Sequence, residues 1–80
     1  MERVIEVYHK DDKNYGDQLV REIKLPEIPL SILQEIFSEP KGNEMYEVFP
    51  IDMEKSRRLA KYVDVDYKFN KYSYFLCTYE

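Results

Sequence analysis

Apolar and polar positions alternate with a period of two at both ends of the chain and follow helical spacing in the middle. Glu2 to Tyr8 reads as a strand. Ile5 and Val7 are set against Val4, Glu6 and Tyr8, so both faces carry apolar side chains. His9 to Gly16 is a polar turn region that ends in glycine. Asp17 to Leu25 alternates again, with Leu19, Ile23 and Leu25 on one face and Gln18, Val20, Glu22 and Lys24 on the other. The two runs predict a hairpin with a long loop.

Pro26 stops the second strand, because proline cannot donate to the ladder. Pro29 fits the first turn of a helix, where its missing N–H costs nothing. The spacing predicts a helix over Pro29–Phe37. Leu30, Leu33, Ile36 and Phe37 share its apolar side, and Ser31, Gln34 and Glu35 its wet side. Pro40 and Gly42 are expected to close it. Met45 to Phe49 reads as a third strand ended by Pro50. Asp52 is the expected N-cap of a second helix reaching Tyr62. Met53, Ser56, Leu59, Ala60 and Val63 fall in one arc of it, with Glu54, Arg57, Arg58 and Lys61 opposite.

The last residues are the most strand-like. Val63, Val65, Tyr67 and Phe69 alternate with Asp64, Asp66 and Lys68; Asn70-Lys71 offers a turn; Tyr72 to Tyr79 is β-branched, aromatic or small almost throughout. The order β-β-α-β-α-β-β predicts an α+β fold. A small antiparallel β-sheet of four to five strands would carry two short helices on one face, and residues 1–80 would form one domain.

Composition narrows the function. At 80 residues the chain buries roughly 60% of its unfolded surface. Sixteen acids against twelve bases give a net charge of −4, which argues against a nucleic-acid binder. One cysteine, one histidine and two glycines provide no disulfide framework, Cys- or His-rich metal site, or phosphate-cradling loop, so no cofactor and no metal are expected. No apolar run approaches the ~18 residues of a membrane span. Met1-Glu2-Arg3-Val4 lacks the apolar stretch of a signal peptide. A reduced, cytoplasmic protein away from membranes is the expectation. Eight tyrosines and four phenylalanines make 15% of the chain aromatic, which suits a core and a recognition surface equally.

Single residues offer little chemistry. His9 lies beside Asp11 and Asp12, but no serine or cysteine is near it in sequence, and a lone histidine is most often surface. Cys77 sits in an aromatic strand, where a free thiol packs as a small hydrophobe. Asp64 and Asp66 share a strand face, yet a paired-acid mechanism needs a cleft that so short a chain rarely builds. Arg57, Arg58 and Lys61 read as the wet face of a helix. No nucleophile, base and orienter assemble, so no enzyme is expected.

One constellation stands out. With Ile5, Val7, Leu19, Ile23, Tyr46, Val48, Tyr67, Phe69, Tyr74 and Leu76 under the helices, the opposite face carries Val4, Tyr8, Val20, Met45, Phe75, Cys77 and Tyr79. Glu6, Glu22, Glu47, Asp64 and Asp66 are interleaved with them. An apolar sheet face with an acidic surround is how a protein-recognition surface looks. The alternatives are a covering loop, a dimer mate, or one strand with its faces reversed.

The order of elements and the C-terminal residues resemble the cloacin-type immunity proteins, inhibitors of bacteriocins that cleave ribosomal RNA. The best part is Lys61-Tyr-Val-Asp-Val-Asp-Tyr-Lys-Phe-Asn-Lys-Tyr-Ser-Tyr-Phe-Leu-Cys-Thr-Tyr-Glu80. It is similar to that family's tail without a gap. Met45-Tyr46-Glu47-Val48 resembles the family's Cys-Phe-Asp-Val strand, and Phe37-Ser-Glu-Pro40 its helix-ending Leu-Gly-Val-Pro. Tyr8 and Tyr15 stand where the family has phenylalanines flanking an acidic turn. The resemblance implies a small antiparallel sheet whose open face grips a nuclease domain. It also decides a direction that alternation leaves open in the last strand: Phe75 points outward and Tyr74 inward. Carried over position by position, it implies contacts at Tyr8, Tyr15, Gln18, Met45, Glu47 and Phe75. Glu6, Asp64 and Asp66 join them from the acidic surround.

Departures from the family alter the expected target. Met45 replaces its strand cysteine, His9 replaces an acid, both tryptophans are missing and the negative charge is weaker. The expected partner is therefore a different basic bacterial toxin domain, such as the tip of a contact-dependent growth inhibition system. Neutralisation would be stoichiometric occlusion by a protein that is monomeric when free. The alternative is a small homodimeric structural or regulatory module that buries the same face on itself.

Overall fold

The computed structural model describes residues 2–10 and 19–79. Four strands and two helices follow the order β1 (Glu2–His9), β2 (Leu19–Lys24), α1 (Leu30–Ile36), β3 (Phe49–Pro50), α2 (Met53–Leu59) and β4 (Tyr72–Tyr79). The sheet is antiparallel in the order β2-β1-β4-β3. This is the expected α+β fold, with one strand fewer than the predicted order.

The two long strands hold the sheet. β1 pairs with β4 over its full length, Val4 opposite Cys77, Ile5 opposite Leu76, Glu6 opposite Phe75 and Val7 opposite Tyr74. Directly opposed residues share a face, so Ile5, Val7, Tyr74 and Leu76 point one way and Val4, Glu6, Phe75 and Cys77 the other. The first set packs with Leu33, Ile36 and Phe37 from α1 and its end, with Met45 and Ile51, and with Leu59 of α2. The helices therefore cover one face. Tyr74 is 2% exposed in that core.

Each helix has a cap that explains its length. Pro29 precedes α1 at φ −54° and ψ 139°. The end is not made by Pro40 and Gly42. Ser38 adopts φ 57°, and its N–H donates to Glu35 O while the N–H of Glu39 donates to Gln34 O at 2.8 Å. This left-handed C-terminal cap ends the helix one turn earlier than the proline could. α2 starts as expected: Asp52 accepts from the N–H of Lys55 at 2.8 Å. It ends at Leu59, short of Tyr62, and Met53 and Ala60 of the predicted apolar arc are exposed. Arg58 reaches from α2 to Glu35 of α1, 3.7 Å from its carboxylate.

Three expectations need correction. First, Met45–Val48 is not a strand; only Phe49–Pro50 joins the sheet. Met45 stands at φ 59°, outside the strand region. Its N–H is taken by Asn43 Oδ1 at 2.8 Å and its C=O by the Thr78 hydroxyl at 3.0 Å, so side chains occupy the groups a ladder would use. Gln34, expected on the wet side of α1, is buried; it donates to Lys41 O and Asn43 O and anchors this connection. Pro50 does not end the strand but lies within it, at the edge, where a missing donor costs nothing.

Second, Val63–Phe69 has the predicted alternation of part-buried and exposed residues but forms no ladder. Its backbone N–H groups bond locally, and the Phe69 carbonyl accepts from Lys10 Nζ at 3.1 Å. Val63 N–H donates to Leu59 O, and Lys68 N–H donates to the Tyr74 hydroxyl at 2.8 Å. Val63, Val65, Tyr67 and Phe69 pack against the helix-side core instead. Third, the faces slip in β2. The pairing passes from Val7 opposite Arg21 to Tyr8 opposite Leu19, leaving Val20 as an extra residue. Leu19 consequently shares the face of Tyr8 and is exposed rather than under the helices, as are Tyr46 and Val48.

Candidate functional site

Among the described residues, no helix and no further strand packs on the second face of the sheet. Alternation in β1 delivers Glu2, Val4, Glu6 and Tyr8 to it, and alternation in β4 delivers Ser73, Phe75, Cys77 and Tyr79. β2 adds Glu22, directly opposite Glu6. A row across three strands therefore reads Glu22, Glu6, Phe75.

Glu6 is the centre of the face. It is 6% exposed, buried more deeply than a carboxylate usually is. The Tyr8 hydroxyl donates to its Oε1 at 2.6 Å, and the Tyr79 hydroxyl donates to its Oε2. Tyr8 in turn meets Phe75 edge-on, with ring centroids 5.7 Å apart. One carboxylate is thus held from both sides by phenols, beside a phenylalanine.

The charge state follows from these contacts. Burial favours the neutral acid, but the hydrogen bonds from Tyr79 and Tyr8, helped by the Cys77 thiol, outweigh it and hold the Glu6 carboxyl below its ordinary range. The partners move the other way. Donation to Glu6, together with burial and the negative charge nearby, pushes Tyr8 up to about 12. The same hydrogen bond raises Tyr79 well above an ordinary phenol. Burial first, then the charge of Glu6, pushes the Cys77 thiol up to about 12, so it stays protonated as an inert packing group. The charge of Glu22 also raises Tyr8, Tyr79 and Cys77, which places its carboxylate in the same field.

The structure brings some of the predicted site residues together and separates others. Glu6, Tyr8 and Phe75 form one cluster on the second face. Met45 does not join them: it is fully buried in the helix-side core, because its left-handed backbone turns the side chain inward. Glu47 is exposed in the connection that leads to β3, beside the edge of the sheet rather than on its face. Asp64 and Asp66 are exposed on the segment packed against the helix-side core. Asp66 borders a cavity of about 420 Å3 with Val7, Arg21 and Tyr74, on the opposite layer from Glu6. Tyr15 and Gln18 lie outside the described residues, as do Asp11 and Asp12. Tyr79 and Glu22 belong to the cluster although the family resemblance did not single them out. Both were on the predicted opposite face, and the missing signals were the hydrogen bond that Tyr79 donates to Glu6 and the strand register that sets Glu22 opposite it.

Among the described residues, no group of three or more His, Cys, Asp or Glu side chains is placed to hold a metal ion, and no helix is long and apolar enough to cross a membrane. The second face carries a buried carboxylate, aromatic flanks and acidic edges.

The chain belongs to the DUF7683 family. The family is described as a domain of unknown function, and its model matches residues 2–77, from the start of β1 to Cys77 in β4. Glu6, Tyr8, Glu22, Phe75 and Cys77 therefore lie within the DUF7683 match, and Tyr79 lies just beyond it. No curated protein and no solved structure matches the chain.

Proposed function

We propose that this protein is an immunity protein that neutralises a cognate bacterial nuclease toxin domain. One observation carries the reading: the sheet face away from the helices holds a buried, ionised carboxylate, Glu6, set among Tyr8, Phe75 and Tyr79 with Glu22 beside it. The similarity of the C-terminal segment to cloacin-type immunity proteins supports it. The partner is a basic toxin domain. Acidic edges steer the encounter, and aromatic anchors are desolvated once contact is made. The complex is one-to-one and blocks the toxin by occlusion, with no turnover and no cofactor. The protein acts in the cytoplasm, where a producing cell meets its own toxin.

The rival is a homodimer that buries the same face. It would set Glu6 and Glu22 of one copy against those of the other, and like charges at a desolvated interface disfavour association. The test uses the open reading frame directly upstream of the gene. Its C-terminal domain, purified as an inactive variant, is expected to bind one equivalent of this protein and to show no nuclease activity when the active form is mixed at equal stoichiometry. Sedimentation of the protein alone is expected to give a monomer. A stable dimer that leaves the upstream domain unbound would replace this reading with the homodimeric module.

A further inference from the structure

Glu6 and Glu22 are directly opposed on neighbouring strands and share one face. Like charges in that position destabilise a sheet. Nothing among the described residues neutralises the pair. Arg21, next to Glu22, lies on the opposite face, and Lys24, the base of β2 on the same face, is turned to Glu2 at 3.3 Å. Glu6 receives hydrogen bonds from two phenols, which satisfy its oxygens without cancelling its charge. A buried charge is ordinarily matched by an opposite charge. Here no counter-charge is found among the described residues, and the field of both carboxylates opens to the surface through Glu22, which is exposed.

The surround selects the kind of cation. Phe75 stands on the other side of Glu6 in the same row, with Tyr8 edge-on to it. A flat cation gains from stacking on such rings while donating to a carboxylate in plane. Guanidinium does both; an ammonium is a compact, strongly hydrated point charge. We infer that the row Glu22, Glu6 and Phe75 is the seat of a single arginine side chain of the partner protein. This rests on the reading of the second face as the partner-binding surface and names what that surface grips. The guanidinium pairs with the exposed Glu22 carboxylate, lies against Phe75 and Tyr8, and supplies the positive charge that Glu6 lacks.

The experiment uses the whole chain and small probes, so it does not depend on the toxin. Nα-acetyl-arginine methylamide is titrated at low salt while amide shifts are followed by NMR, alongside the citrulline and lysine counterparts and calcium chloride. Arginine is expected to shift Glu6, Glu22, Tyr8 and Phe75 in a saturable way. Citrulline, the same shape without charge, is expected to shift none of them, and lysine to bind at least threefold more weakly. Glu22→Gln, at an exposed position that tolerates change, is expected to weaken the arginine response at least fivefold. Shifts spread evenly over all acidic residues, an equal response to citrulline, or an unchanged response in Glu22→Gln would each overturn the inference. So would saturation of the same residues by calcium at lower concentration than arginine. If arginine binds here and the upstream domain does not, the seat stands and the immunity reading fails. If the upstream domain binds on this face with no arginine response, the seat alone fails.

Discussion

The hydroxyl of Tyr79 donates to the carboxylate of Glu6, a contact that spans 73 positions and joins the two ends of the described chain. Because Tyr8 donates to the other oxygen, one side chain ties together both central strands of the sheet. The arrangement makes the fold sensitive to the charge of a single residue.

That sensitivity gives a pH dependence with a definite sign. Glu6 titrates below its ordinary 4.5 in the folded state: burial raises it, but the hydrogen bonds from Tyr79, Tyr8 and Cys77 win. Its stabilisation is therefore fully present above about 4.5. It is lost as pH falls through the lower folded-state value. At the alkaline end Tyr8, raised to about 12 by donation to Glu6, holds its contribution below about 10 and loses it between there and 12. Glu22 faces the same cluster and adds to the negative field, whereas the Cys77 thiol beside it stays neutral below about 12. Thermal melts from pH 7 to pH 3 are expected to fall for the wild type. They should fall less steeply for Glu6→Gln, which begins from lower stability. An identical slope in the two proteins would remove Glu6 as the source.

Tyr74 and Phe75 are adjacent and serve opposite faces. Tyr74 is in the core, between Tyr67 and Phe69, and its hydroxyl holds the Lys68 N–H. Tyr74→Ala is expected to cost roughly 3–5 kcal/mol, enough to unfold a domain this small. Tyr74→Phe, which loses only the hydroxyl, should cost about 1 kcal/mol. Phe75 is half-buried on the second face. Phe75→Ala should cost stability only about 1 kcal/mol. As an anchor, it should weaken toxin binding by at least ~2 kcal/mol. Denaturant melts and titration against the partner read both; a silent Tyr74→Ala would mean that the core assignment is wrong.

Ser38 offers a test that involves no function at all. It caps α1 at φ 57°, where a side chain meets the following carbonyl at a cost of roughly 1–2 kcal/mol that glycine avoids. Glycine gives back part of this through the greater freedom of the unfolded chain. Ser38→Gly is expected to stabilise by about 0.5–1 kcal/mol in urea melts. A loss of stability would show that Ser38 contributes a bond of its own to the cap.

The same residues show what the sequence discloses and what it hides. In β1, alternation placed Ile5 and Val7 against the helices; in β4, apolar on both faces, alternation left the direction open, and the family resemblance put Tyr74 and Leu76 on the helix side, where they lie. The cap at Asp52 was equally legible, being chemistry within four residues. Met45 was not. Its burial is fixed by Asn43 and by Thr78, the latter 33 positions away, and long-range side-chain bonds leave no local pattern. Val63–Phe69 was half legible: alternation reported which residues face inward, but whether a neighbouring strand is there to pair with is not written in the segment. The slip at Val20 misplaced Leu19 for a related reason, since a bulge changes faces without changing composition. For the candidate site, Glu6 and Tyr8 lay on a strand where alternation holds and Phe75 on one whose direction the family resemblance supplied, whereas Met45, Asp64 and Asp66 came from segments where alternation does not predict a face of the sheet.

The separation of the acids over two layers makes charge steering testable by position. Carboxylates on the binding face raise the rate of encounter with a basic partner, whereas carboxylates on the far layer act only through the overall field. Glu22 is on the face of Glu6, and Asp66 borders the cavity on the helix side. Both are exposed, so reversal of either charge leaves the core intact. Under the proposed function, Glu22→Lys is expected to slow association with the proposed toxin partner at least tenfold at low salt, and Asp66→Lys by no more than about twofold. The wild-type rate constant should drop as ionic strength rises, because screening shortens from ~10 Å at 0.1 M to ~3 Å at 1 M. In high salt the Glu22→Lys deficit in association should shrink, leaving the part of the loss that comes from direct contact, which appears in the dissociation rate. Stopped-flow association across a salt series separates these contributions. If Asp66→Lys slows binding more than Glu22→Lys, the partner docks on the helix side, and the face built around Glu6 serves some other purpose.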